Sequence, residues 1–211
     1  MKKSLILFIL LVQFWSLWAD GYYCKTIGLK ERLSLAAVTD VTYDGKGGLW
    51  IGTRFGLNQY RNGRIQTYLD DGRGRIQGNY VNLVHLDTWG NLWTSTDKGL
   101  FLYDKSSDSF QLLSEDPVTC AVDDEDGVWF GAHFGLKHYS GRNKTLSSSD
   151  SEIYTDYQAL YQYQGKLLSL DKKEGLVWGG EALPLPELGG SMIMASALHE
   201  DKLYLSLLND G

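Results

Sequence analysis

Gly48-Leu49-Trp50-Ile51-Gly52-Thr53-Arg54-Phe55-Gly56-Leu57-Asn58-Gln59-Tyr60 is written three times in this chain, with variations. It returns as Asn91-Leu92-Trp93-Thr94-Ser95-Thr96-Asp97-Lys98-Gly99-Leu100-Phe101-Leu102-Tyr103. It returns again as Gly127-Val128-Trp129-Phe130-Gly131-Ala132-His133-Phe134-Gly135-Leu136-Lys137-His138-Tyr139. A repeat of roughly 40 residues, built of strand-like and turn-like segments, points to a β-propeller or a solenoid. Such folds are scaffolds whose sites lie on their faces, so the repeat by itself names no activity.

The motif glycine recurs at Gly56, Gly99, Gly135, Gly175 and Gly211, in steps of 43, 36, 40 and 36. The fourth copy is degenerate and carries Leu168 in the tryptophan position. The fifth, beginning at Lys202, stops at Gly211, the residue expected to open its next strand. The chain therefore reads as an N-terminal fragment of a longer protein.

One repeat makes one blade. Tyr80 to Asp87 has strand composition and is predicted to be the innermost strand. Thr88-Trp89-Gly90-Asn91 supplies turn residues, Leu92 to Thr96 the second strand, and Asp97-Lys98-Gly99 another turn. Leu100 to Asp104 and Ser109 to Leu113 complete four antiparallel strands. Both faces of a blade lie against neighbours, so the middle strands should be apolar on both sides. Trp50, Trp93 and Trp129 are read as core. Gly52, Ser95 and Gly131, two residues beyond each tryptophan, are read as small because a neighbouring sheet approaches there. The fold expected is an all-β propeller of four-stranded blades, about four to five of a complete seven, occupying residues 20–211. The segment Tyr22 to Ile27 has the phase of an outer strand and is expected to pair with the last blade of the ring.

Residues 1–19 read as an export signal. Lys2 and Lys3 form its basic start, Leu5 to Val12 its apolar centre, and Ala19 a cleavage position. The apolar run Leu5 to Ala19 is 15 residues, short of the ~20 that span a bilayer, and an uncleaved anchor is the alternative. Cys24 and Cys120 would be free to pair in an oxidising compartment. Nothing brings them together, and two separate thiols are the favoured reading. The net charge of −6 argues against nucleic acid as a partner. At 43% hydrophobic and 13% aromatic, the 211 residues can build a real core.

The pattern D-x-x-G-x-[LVF]-W-[IF]-G-T-x-x-G-L-x-x-[YF] resembles the two-component regulator propeller repeat. Asp44, Trp50, Gly52, Thr53, Gly56, Leu57 and Tyr60 carry it in the first copy, and Asp87, Gly90, Trp93, Thr96, Gly99, Leu100 and Tyr103 in the second. Asp124, Gly127, Trp129, Gly131, Gly135, Leu136 and Tyr139 carry it in the third, with Ala132 replacing the threonine. The resemblance implies the periplasmic sensor region of a hybrid two-component system, in a protein anchored in the inner membrane. It implies an oligosaccharide ligand released from polysaccharide, and as partners further blades and downstream signalling domains, through which dimers would form. It implies no enzyme activity and no cofactor for these residues.

In such a ring the turns between second and third strands share a face with the loops between blades. The variable turn residues are Arg54-Phe55, Asp97-Lys98, His133-Phe134 and Lys173-Glu174. The longer loop Asp70 to Arg75 adds Arg73 and Arg75. Aromatic rings suit the apolar face of a sugar and charged forks suit its hydroxyl or acidic groups. Arg54, Phe55, Arg73, Arg75, His133 and Phe134 are therefore the candidate ligand-binding residues, against the plain reading of solvated turns. The acidic run Asp123 to Asp126 lacks the glutamate of a calcium loop, since Phe134 stands in its place, and reads as a hairpin turn. The four histidines have no metal-ligand spacing, and no nucleophile-elbow or phosphate-loop motif occurs. The second reading is a propeller lyase or glycoside-cleaving enzyme. It would need a convergent acid and base, and Asp97 is the one acid in a well-formed variable turn.

Overall fold

The computed structural model describes residues 24–73, 75–150, 155–171, 175–183 and 192–208. The expected export signal at 1–19, the turn pair Lys173-Glu174 and Gly211 lie outside them. Among the described residues no helix is long and apolar enough to cross a membrane, and the helical residues form one short turn at Leu29–Glu31.

Among the described residues eighteen strands follow in chain order. Blade 1 holds β1 (Val38–Tyr43), β2 (Leu49–Thr53), β3 (Gly56–Arg61) and β4 (Arg64–Tyr68). Blade 2 holds β5 (Val81–Leu86), β6 (Leu92–Thr96), β7 (Gly99–Asp104) and β8 (Ser109–Ser114). Blade 3 holds β9 (Val118–Asp123), β10 (Gly127–Ala132), β11 (Gly135–Ser140) and β12 (Thr145–Asp150). Blade 4 holds β13 (Tyr157–Tyr163), β14 (Lys166–Asp171), β15 (Gly175–Trp178) and the short β16 (Glu181–Leu183). A hairpin of β17 (Met192–His199) and β18 (Lys202–Leu208) follows. Each blade pairs in sequential order, and the first strands β1, β5, β9 and β13 adjoin one another. This is the expected all-β propeller architecture, with three regular blades, a less regular fourth and two strands of a fifth.

The glycines that open the third strands have the backbone only glycine adopts cheaply. Gly56, Gly99 and Gly135 have φ of 108°, 129° and 97°. The small position beyond each tryptophan is small for the expected reason. A Cβ on Gly52 would lie 2.7 Å from Val81 of the next blade, and one on Gly131 would lie 2.6 Å from Tyr157 of the next. Ser95 does more than fit: its Oγ accepts the backbone N–H of Val118, the first residue of blade 3, at 2.9 Å.

Core packing follows the junctions between blades. Trp50, Leu57, Tyr68, Val81, Val84, Phe101 and Phe110 fill one junction, and Leu83, Trp93, Leu100, Val118, Val128 and Phe130 the next. Trp93 is fully buried, with Phe130 and Tyr139 rings at 5.1 and 4.7 Å. Trp129 departs from the expectation of full burial. It is half-buried, lies against His138 at 4.5 Å, and lines an open cleft toward blade 4. Blade 4 presents Gln162, Gly165 and Leu167 there, which do not cover the indole. In blade 4 the tryptophan moves across the ladder: Leu168 pairs with Trp178.

Cys24 and Cys120 are both free, one exposed and one buried, as the separate-thiol reading expects. Burial pushes the Cys120 thiol up to about 12, which leaves it protonated and inert at neutral pH. Residues 24–27 form no strand, and Lys25 instead donates to the Tyr60 hydroxyl at 2.8 Å.

Candidate functional site

The turns between second and third strands lie on one face with the loops between blades. Backbone bonds tie them together. Gly56 N donates to Asn79 O, Asp97 N to Tyr80 O, His133 N to Pro117 O, and Thr155 N to His133 O. Motif threonines stiffen these turns. Thr53 Oγ1 donates to Gly56 O at 2.9 Å and accepts Phe55 N at 3.0 Å. Thr96 Oγ1 donates to Gln77 O and accepts Lys98 N. In blade 3, where Ala132 replaces the threonine, Thr155 of the following loop donates to Ala132 O at 3.0 Å and accepts Gly135 N at 3.2 Å. The hydroxyl is supplied from 23 residues away, which a motif scan does not reveal.

On this stiffened face Arg54, Phe55 and Phe134 are exposed, and His133 is half-buried. Phe55 and Phe134 are each 50% exposed. Arg73 is exposed on its loop, 3.5 Å from Asp71. Arg75 goes elsewhere. Its guanidinium lies over the Tyr68 ring at 5.4 Å, at the end of the outermost strand of blade 1. Tyr68 and Tyr103 both donate to Asp108 there, at 2.7 and 2.8 Å. Burial pushes the Asp108 carboxyl up, but these two hydroxyls and Gln66 outweigh it and hold it below the ordinary value. Arg75 is thus part of a structural cluster, and the two expected loop cations at the mouth reduce to Arg73.

Among the described residues the opposite face carries clefts at the junctions of blades 1 and 2, 2 and 3, and 3 and 4, which the sequence reading did not single out. Each is bordered by the turn between first and second strands. The acidic run is such a turn, as expected: Asp124 accepts Asp126 N and Gly127 N, and its Oδ2 accepts the Trp129 indole N–H at 2.7 Å. Asp87 likewise accepts Trp89 N, Asn91 N and the Trp93 indole. In blades 2 and 3 the aspartate of the repeat is therefore a turn lock and a tryptophan anchor. Its spacing before the tryptophan was the available signal. Among the described residues no group of three or more His, Cys, Asp or Glu is placed to hold a metal ion.

No protein-family model matches the sequence, and no curated protein sequence matches it. Solved structures do match. The extracellular domain of the candidate one component system BT4673 from B. thetaiotaomicron superimposes with a TM-score of 0.70 at 18% identity, over 82% of this chain and 26% of that one. The chain has the propeller fold of that domain. The extracellular domain of the candidate hybrid two component system BT3049 from B. thetaiotaomicron gives 0.59 at 19% identity, over 89% of this chain and 34% of that one. An ancestral GH74 enzyme gives 0.61 at 14% identity, over 81% of this chain and 27% of that one. The chain thus spans between a quarter and about a third of the length of these structures.

Proposed function

We propose that this chain is a ligand-sensing part of the exported region of a hybrid two-component sensor. In this reading it is periplasmic, led out by residues 1–19 and held to the inner membrane by a segment of the full protein. It detects oligosaccharides released from polysaccharide and passes the signal through further blades to downstream domains. The observation that carries the reading is the likeness in fold to the extracellular domain of BT4673. The turn face supports it: exposed Phe55 and Phe134 suit sugar stacking, and Arg54, Arg73 and His133 stand on the same face.

The second reading, a glycoside-cleaving propeller, has the likeness to a GH74 enzyme in its favour. It needs two carboxyl groups facing each other across a substrate. On the described turns Asp97 accepts Tyr80 N and lies 3.9 Å from Lys98, which makes it a turn lock. We therefore place sensing first.

Calorimetry of the exported region against a panel of glycan fragments tests both. Arg54→Ala and His133→Ala are each expected to weaken binding about tenfold, the loss of one hydrogen bond, and Arg54→Ala to leave the melting temperature unmoved. Unchanged affinity in both variants would remove these turns from the site. Turnover of any glycan would put the enzyme reading first.

A further inference from the structure

The three junction clefts share a position but not a charge. The cleft between blades 3 and 4 is lined by Asp123, Asp124, Glu125 and Asp126, with no cation among the described residues. Between blades 2 and 3, Asp87, Glu125 and Asp126 face Arg142 and Lys144. Between blades 1 and 2 the balance reverses: Lys46, Arg61 and Lys105 surround a single carboxylate, Asp44. In a chain of net charge −6 this cationic cleft, of about 410 Å³, stands against the overall sign.

A second observation comes from the tryptophan at its base. In blades 2 and 3 the repeat aspartate takes the indole N–H, from Trp93 at 2.9 Å and Trp129 at 2.7 Å. In blade 1 it does not. Arg61 ends β3 where blades 2 and 3 have Asp104 and Ser140. Its guanidinium pairs with Asp44 Oδ2, the oxygen that would have met the indole. The other oxygen accepts Lys46 N and Gly48 N. Trp50, only 4% exposed as a residue, lines the cleft, and its Nε1 is not one of the buried unpartnered atoms, so with Asp44 taken by Arg61 the indole N–H is left open to the cleft.

We propose that the cleft between blades 1 and 2 binds an oxyanion, a carboxylate or sulfate group, which takes the Trp50 indole N–H and lies among Lys46, Arg61 and Lys105. The walls Leu86, Leu92 and the Tyr103 ring leave room beside the anion for a sugar. The Tyr103 hydroxyl is spent on Asp108 and does not compete. The site is on the face opposite the turn residues, so it stands whether or not those turns bind glycan.

The test is a titration of the ¹⁵N-labelled protein with sulfate, with glucuronate and with glucose, following the tryptophan indole signals. The Trp50 signal is assigned from Trp50→Phe, and the anchored Trp93 indole is the internal reference. The Trp50 signal is expected to move with glucuronate, less at high salt, and to stay still with glucose. Movement with sulfate as well assigns the site to the oxyanion alone, and movement with glucuronate only assigns it to acidic sugars. Lys46→Ala with Lys105→Ala is expected to weaken the response about tenfold or more, while Lys144→Ala in the next cleft leaves it unchanged. A Trp50 signal that ignores both anions, follows glucose equally, or responds undiminished in the double variant would overturn the proposal.

Discussion

Trp93 and Lys98 stand five positions apart with opposite demands on their surroundings. Trp93 is fully buried against Phe130 and Tyr139, whereas the Lys98 side chain is 60% exposed. Trp93→Ala is expected to cost roughly 3–5 kcal/mol, as for other large core truncations, and Lys98→Ala under about 0.5. Equal urea midpoints in the two variants would contradict the core assignment. Carboxyl groups give a second expectation. Burial pushes Asp44, Asp108 and Asp124 up, but their hydrogen bonds outweigh it and hold all three below the ordinary value of 3.8. A lowered folded value means stability that is present above the unfolded value and lost as pH falls through the folded one. The urea midpoint should therefore drop on acidification below about pH 4, and drop less steeply in Asp124→Asn. A midpoint that holds steady down to about pH 2 would show that these bonds contribute nothing to stability.

Within an element, the turn glycines separate two costs. Gly99 has φ of 129°, and a Cβ there would lie 2.0 Å from Ser114 O. Gly63 has φ of 77° with nothing within 4 Å. Gly63→Ala should cost about 1–2 kcal/mol, the left-handed penalty alone, and Gly99→Ala clearly more, since backbone must also move. Equal melting temperatures would mean the blade edge at Ser114 yields freely. Ser95→Ala tests the joint between blades. It strands the buried Val118 N–H that Ser95 Oγ accepts, and should cost about 1–3 kcal/mol, whereas Ser95→Thr, with its added methyl facing the same packed junction, would not restore full stability. These elements were legible in the sequence because their signals are local. The motif glycine, the turn aspartate and the alternation of strand residues act over a few residues, and β6 runs where composition placed it.

At the scale of the whole molecule, the blades at the two ends of the array show apolar faces that the middle blades cover. Val38, Val41 and Tyr43 of β1 are 49%, 54% and 58% exposed. Met194, Tyr204 and Leu208 of the last hairpin are 58%, 54% and 51% exposed. Apolar surface of this kind is a contact surface. The 211-residue chain is expected to sediment with concentration-dependent association and to bind an apolar dye. Val41→Lys with Tyr43→Lys should reduce both. Monodisperse sedimentation with no dye binding would mean those faces are covered in solution.

The sequence alone determined the repeat, the four-stranded blade, the buried tryptophans of blades 1 and 2 and the face on which the variable turns emerge. All of these follow from short-range backbone geometry and the period of apolar residues. The tertiary structure decided which polar group meets which. It set Thr155 in place of the missing threonine, turned Arg75 onto Tyr68, left Trp129 half-covered, and gave Asp44 to Arg61 instead of Trp50. Such pairings depend on side-chain reach across strands and blades, where a shift of an ångström changes the partner, and a linear pattern does not hold that distance.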